Sequence, residues 1–267
     1  MVSKITDRIL PELKEWQSRP LNPLYPFVFM DCIHYKVRDE GRIVSRAAYI
    51  VLGVTIEGYK EVLSITVGAN ETSKFWLGML NDLKNRGVQD ALFFCVDGLP
   101  GFHEAIQAVF PQAQIQRRVI HMLRNSFKYV NYNDLKKFAS DFKAVYNAPT
   151  EEAARSELMA LKEKWGKKYP YAISNWENNW EDLNSFFQFS GDIRGIMYTT
   201  NIIEGVNRQY RKVTKTKSAF PSDSSLAKMR YLASQNIMKK WTQRYRNWDQ
   251  VIGQLILPRE ERLTRYL

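Results

Sequence analysis

Three acids carry the chemistry that this sequence is equipped to perform. Asp31 ends the run Pro26-Phe27-Val28-Phe29-Met30, where a strand buried on both faces would otherwise stay apolar. A carboxylate in such a place needs a partner: a cation, a hydrogen-bond cluster or a metal. Asp97 follows the apolar run Ala91–Val96 and precedes Gly98. That puts it at the carboxyl end of a second strand, where open α/β sheets collect their ligand sites. If the two strands are neighbours, the two carboxylates repel each other unless a proton or a cation sits between them. Mg²⁺, with Mn²⁺ as its substitute, suits such a pair because it takes a few hard oxygen ligands and keeps some of its waters. Taken singly, Asp31 serves equally well as a structural acid, and Asp97 as the Asp of an Asp-Gly turn.

Glu204 is the third acid. Thr199–Lys215 reads as a polar, basic helix with Thr200 or Asn201 as its cap. On it Glu204, Arg208, Arg211, Lys212 and Lys215 share one face. A lone acid heading a basic stripe fits a metal ligand followed by contacts to a nucleic-acid backbone. The plainer alternative is a solvated face with an i,i+4 Glu204–Arg208 pair.

The elements that must position these acids follow from hydrophobic period and turn residues. A helix over 3–17 and a proline-punctuated linker lead into the first strand. Asp39-Glu40-Gly41 and Glu57-Gly58 turn the chain into strands over 43–55 and 59–67, which makes an antiparallel meander. A helix over 71–86 stops at Gly87, and strand 91–96, a helix over 101–109 and a strand near 113–116 complete a βαβ pattern. This order is that of a ribonuclease H-like mixed five-stranded sheet flanked by helices. From Val119 the texture becomes all-helical, with Trp176, Trp180, Leu183 and Phe187 at helical spacing. Periodic aromatics of this kind usually pack, so they read as a core of their own. The expected divisions are an N-terminal helix and linker (1–22), the first part of the core (23–118), a helical insertion (119–195) and the second part of the core with C-terminal helices (196–267).

Composition narrows the partners. Lys and Arg number 39 against 28 Asp and Glu, a net charge of +11, which favours a polyanion, with nucleic acid first. The two cysteines, Cys32 and Cys95, sit in apolar runs and offer neither a disulfide framework nor a zinc knuckle. No apolar run reaches membrane-spanning length and no signal-peptide core is present, so the expectation is a cytosolic protein with no membrane partner.

At this point the residues resemble a family: the mutator-type bacterial insertion-sequence transposases, which use an Asp-Asp-Glu triad. The blocks that carry the resemblance run almost end to end. They are Phe29-Met30-Asp31-Cys32-Ile33-His34, Phe75-Trp76-Leu77, Lys84-Asn85-Arg86-Gly87-Val88, Val96-Asp97-Gly98-Leu99-Pro100-Gly101-Phe102, His121-Met122-Leu123-Arg124-Asn125-Ser126 and Thr199-Thr200-Asn201-Ile202-Ile203-Glu204. The spacing between the acids, 66 and then 107 residues, also suits the family. The resemblance implies that Asp31, Asp97 and Glu204 bind two Mg²⁺ ions, and that the helical region lies between the second and third acids. The implied activity is metal-dependent phosphodiester hydrolysis and strand transfer by a DNA 3′-hydroxyl. It also implies double-stranded DNA (transposon ends and target) as partner, a homodimer or larger assembly on it, and a bacterial cytosol or nucleoid location.

Two departures stand out. Where the family has a Cys-x-x-His pair this chain has Arg118 and His121, and a guanidinium cannot replace a thiol. Full members carry an N-terminal DNA-binding region, and this chain begins at its trailing helix, so a catalytic domain without end recognition is expected. His34, His121 and Asn201 rank as outer neighbours of the acids, with His34 three residues past Asp31 and therefore on the opposite strand face. Arg124 is as much a candidate DNA contact as a structural residue. Two other readings remain: a stand-alone ribonuclease H-like nuclease, or a catalytically inactive nucleic-acid-binding fragment.

Overall fold

The computed structural model describes residues 2–68, 73–96, 101–117, 119–198 and 201–266. It divides into two compact units, one formed by Met1–Ile115 with Asn201–Leu267 and the other by Gln116–Thr200.

In the first unit, α1 (Val2–Ser18) precedes the meander β1 (Leu24–Asp39), β2 (Arg42–Val54) and β3 (Lys60–Gly68). Then come α2 (Ser73–Asn85), β4 (Asp90–Val96), α3 (Phe102–Val109) and β5 (Gln114–Arg117), whose last residues fall at the unit boundary. The strands form one mixed sheet in the order β3-β2-β1-β4-β5, so β1 is central. β1 runs antiparallel to β2 and parallel to β4, and β2 runs antiparallel to β3. The first hairpin closes at Asp39↔Arg42 through Glu40 (φ 46°) and Gly41 (φ 79°). Two consecutive left-handed residues match the twist of the strands they join, and glycine takes one of them without a Cβ penalty.

Leu24 to Met30 are all buried, as expected of a central strand covered on both faces. Alternate side chains reach opposite layers. Val28 and Met30 pack with Tyr49, Trp76, Met79 and Leu80 under α2 and α3, and Cys32 rests against this cluster. Trp76 is its hub, edge-on to Tyr49 at 4.8 Å and to Phe102 at 4.3 Å. On the other face Phe27 stacks on Phe93 at 5.3 Å and meets Trp248 edge-on at 6.3 Å.

That second face is covered by segments from the end of the chain. They are the last elements α10 (Asn201–Thr214), α11 (Asp223–Met238), α12 (Trp248–Ile256) and α13 (Glu260–Leu263), numbered after the six helices of the other unit given below. α10 packs on β1, while α11 packs on β3 and on α1, with Trp16 against Tyr231 at 5.5 Å. Arg262 of α13 bonds Asp90 at the start of β4 through both carboxylate oxygens, at 2.6 and 2.7 Å.

The second unit holds α4 (Val119–Phe127), α5 (Tyr132–Asn147), α6 (Glu151–Trp165), α7 (Pro170–Glu177), α8 (Trp180–Asn184) and α9 (Gly191–Tyr198), with a 3₁₀ turn over Ser185–Gln188. The aromatic stripe expected on one helix spans α7, α8 and that turn instead. The chain breaks at Asn178-Asn179, where the Asn179 amide bonds the Asn175 carbonyl at 2.7 Å. The residues still form a core: Phe142 lies 4.8 Å from Trp176 and 5.1 Å from Phe138, and Trp180 stacks on Phe187 at 5.8 Å. Each buried indole N–H finds an acceptor, Trp176 on Ser126, Trp165 on Asp141 and Trp180 on Glu151. These tryptophans are packing residues. Among the described residues no helix is long and apolar enough to cross a membrane.

Candidate active site

Asp31 follows the seven buried residues of β1 and is itself half-buried. Its strand neighbour on one side is Ile50 of β2. On the other side the parallel register pairs Phe27 with Phe93, Val28 with Phe94 and Phe29 with Cys95, a constant offset of 66 residues. β4 ends at Val96. Asp97, the residue 66 positions after Asp31, lies outside the described residues, as does Arg118.

Both oxygens of the Asp31 carboxylate are engaged. The backbone N–H of Cys32 donates to Oδ1 at 2.9 Å, and Asn207 Nδ2 donates to Oδ2 at 2.6 Å. The second bond is short, as expected for a donor facing an ionised acceptor, and it joins residues 176 apart in sequence. It ties the middle of α10 to the central strand.

α10 is held in that position by its apolar side. Ile202, Ile203, Val206, Tyr210 and Thr214 are buried at helical spacing. Tyr210 is fully buried; its hydroxyl meets Ser234 at 2.5 Å, and the Arg230 guanidinium lies 4.3 Å over its ring. Arg230 is likewise fully buried and donates from Nη1 to the Ala48 carbonyl at 2.7 Å, which links α11 to β2 beneath α10. Burial pushes the Tyr210 phenol above its ordinary range, against the opposing pull of Arg230, and does the same to Tyr35. Both phenols therefore stay protonated at neutral pH and act as packing and hydrogen-bonding groups.

Glu204 is half-buried in the first turn of α10, three residues before Asn207 and so on the same side of the helix. Arg208, Arg211 and Lys212 are exposed along α10. Lys215 is exposed too, but the helix ends at Thr214, whose hydroxyl bonds back to the Tyr210 carbonyl at 2.9 Å, so Lys215 leaves the stripe expected of it. Asn201 opens α10, its side chain lying outside the described residues. His34 is exposed on β1, an odd number of residues from Asp31 and on the other strand face.

His121 and Arg124 belong to α4 in the helical unit. There Arg124, Lys136 and Lys143 line a groove of about 460 Å³ between α4 and α5, and none of its lining residues is acidic. The acids of α5 turn elsewhere, Asp134 to Lys168 and Asp141 to Lys164.

Asn207 is the site residue that sequence reasoning missed. The available signal was its i,i+3 spacing from Glu204, which puts both on one helix face, yet a lone Asn on a polar helix carries no mark of a buried partner. Among the described residues no three acids, histidines or cysteines form a metal-binding group. The chemistry present does suit a hard divalent cation: the Asp31 carboxylate, and beside it the buried Asn207 Oδ1, which accepts no hydrogen bond from the described residues.

Residues 1–244 match the family described as transposase, mutator family. The chain is 42% identical over 249 residues to the transposase for insertion sequence element ISRM3 of Rhizobium meliloti, covering 93% of this chain and 62% of that protein. It is 41% identical over 249 residues to a probable ISRM3-like transposase of Sinorhizobium fredii, with the same coverage. A probable insertion-element transposase of Corynebacterium diphtheriae is 36% identical over 286 residues, covering all of this chain and 83% of that protein. The chain thus spans about three fifths of the length of the first two relatives. It belongs to the mutator family of transposases.

Proposed function

We propose that this chain is the catalytic domain of a DNA transposase of the Asp-Asp-Glu type on a ribonuclease H-like fold, with Asp31, Asp97 and Glu204 as its metal-binding acids. The observation that carries the reading is the 2.6 Å bond from Asn207 to Asp31, which brings the helix bearing Glu204 onto the central strand bearing Asp31. The 66-residue offset between β1 and β4 supports Asp97 as the second acid, since Asp31 and Asp97 are themselves 66 residues apart in the sequence.

Bound by these acids, a pair of Mg²⁺ ions would supply Lewis-acid activation of the attacking oxygen and stabilisation of the leaving one. The protein's own part is to hold its carboxylates ready. β1 is rigid because it is buried on both faces, and α10 cannot roll because Tyr210 is clamped by Arg230 and Ser234. Past Glu204, Arg208, Arg211 and Lys212 offer exposed cations to the phosphates of a duplex whose scissile bond lies at the acids. The nucleophile is water for strand cleavage and a DNA 3′-hydroxyl for strand transfer, and the working form is a homodimer or larger assembly on DNA.

Mn²⁺ titration by calorimetry, alone and with a short duplex, tests the acids without knowledge of the element ends. The parent should release heat that Asp31→Ala abolishes. Equal binding by both would remove Asp31 from the site, and no binding in either condition would favour an inactive DNA-binding fragment.

The helical unit has a candidate DNA contact of its own in its groove. Arg124, Lys136 and Lys143 present three cations without a lining carboxylate, and a phosphate backbone is the polyanion at hand. Lys136→Ala with Lys143→Ala should lower duplex affinity and flatten its log–log salt dependence by about 2, one for each lost phosphate contact. An unchanged slope would take this groove out of the DNA-binding surface.

A further inference from the structure

We infer that Asn207 is a positioning residue of the catalytic centre: its amide nitrogen sets the Asp31 carboxylate, and its carbonyl oxygen faces the coordination shell of the cation held there. This rests on the acid triad proposed above and assigns a fourth side chain to the same site.

The orientation of the amide follows from chemistry. An ionised carboxylate only accepts hydrogen bonds, so at 2.6 Å from Asp31 Oδ2 the side chain must present its NH₂. Oδ1 therefore points away from that oxygen. Asn207 is 6% exposed, and its Oδ1 is buried with no hydrogen-bond donor on it among the described residues. A buried carbonyl oxygen left without a donor is costly, and native structures keep one where a ligand or ion completes it. The surroundings leave the helix no freedom to relieve it. Val206 beside it is buried, and Tyr210 one turn on is locked by Ser234 and by Arg230. One turn in the other direction stands Glu204, so the amide sits between two of the proposed metal-binding acids.

A neutral amide suits this place better than a fourth carboxylate. It donates to Asp31, which keeps that side chain in one rotamer, and adds no charge to a site already crowded with acids. Its oxygen remains available as a hard donor, to the cation or to one of the cation's waters. Neighbours that orient metal ligands in this way change metal affinity by roughly ten- to a hundredfold when removed.

The test compares Mn²⁺ affinity and thermal unfolding in the parent, Asn207→Ala and Asn207→Asp, with Asp31→Ala as reference. Asn207→Ala should stay folded and bind Mn²⁺ about tenfold more weakly. A variant that unfolds at a lower temperature yet binds Mn²⁺ like the parent would show that Asn207 only fastens α10 to β1, and would overturn the proposal. Asn207→Asp keeps the shape and guards against a misfolded alanine variant. It should lose stability without metal, since two carboxylates then meet at hydrogen-bond distance, and gain more from Mn²⁺ than the parent does. An equal gain would place Oδ1 away from the cation. If the parent itself binds no Mn²⁺, with or without duplex, the triad reading fails first and this inference falls with it.

Discussion

Asp31→Asn and Glu204→Gln are each expected to abolish Mn²⁺-dependent nicking of plasmid DNA while leaving a folded protein. Both replacements keep the shape of the side chain and remove its charge. For Asp31 the structural cost is small. An asparagine oxygen can still accept from the Cys32 N–H, while its NH₂ then faces the Asn207 NH₂, so the bond from Asn207 is lost unless that amide turns its oxygen inward. A single hydrogen bond of this kind contributes about 1–2 kcal/mol, so the unfolding transition should shift by a few degrees. The effect on catalysis is of another order. A carboxylate that fixes a divalent cation supports charge stabilisation worth several kcal/mol in the transition state, so its loss should slow cleavage by at least ~10³-fold. Nicking rates at saturating Mn²⁺, with thermal unfolding in parallel, separate the two effects. Parental rates in both variants would mean that the acids do not hold the catalytic cation.

Arg262→Ala should lower stability by about 3–5 kcal/mol, although it lies far from the acids. Asp90 opens β4 with its side chain 7% exposed, and Arg262 engages both of its oxygens in a bidentate pair. The same guanidinium donates to the carbonyls of Gln112 at 2.7 Å and Ala91 at 3.1 Å. Without it the buried carboxylate keeps, among the described residues, the Ala91 N–H at 2.8 Å, because Arg265 stands 3.9 Å away and is mostly exposed. A half-satisfied buried charge is the costly outcome, since its desolvation is no longer offset. Urea unfolding should show a lowered midpoint with an unchanged slope. Adding Asp90→Asn to Arg262→Ala should recover part of the loss, because a neutral amide needs no counter-charge. A change below about 1 kcal/mol in the single variant would mean that water replaces the arginine, as it does at exposed pairs.

This ion pair bears on the site as well as on stability. β4 is the strand that pairs in parallel with β1, which bears Asp31, and Arg262 secures its first residue. The pair joins Asp90 to a residue beyond the segment that matches the mutator family, 172 positions away. The C-terminal helices are thus part of what holds the sheet together.

What the sequence determined by itself is local. Apolar runs at Pro26–Met30 and Ala91–Val96, polar breaks after them and glycines at turns needing positive φ specify strands and hairpins, since period, propensity and turn chemistry act over a few residues. The expected meander, helix, strand, helix and strand are all present, most ends differing by one or two residues, while β1 runs on to Asp39, well past its apolar run. Acids at the ends of buried strands and at the head of a basic helix were legible for the same reason: a charge in an apolar context is conspicuous. The tertiary structure decided what depends on partners far along the chain. It broke the aromatic stripe at Asn178-Asn179, ended α10 before Lys215, and gave the buried Asp90 its guanidinium. Above all it turned Asn207 from an ordinary polar residue into the donor for Asp31. An amide side chain is chemically the same on a solvated helix and at a catalytic carboxylate. Only burial against a strand 176 residues away makes the difference.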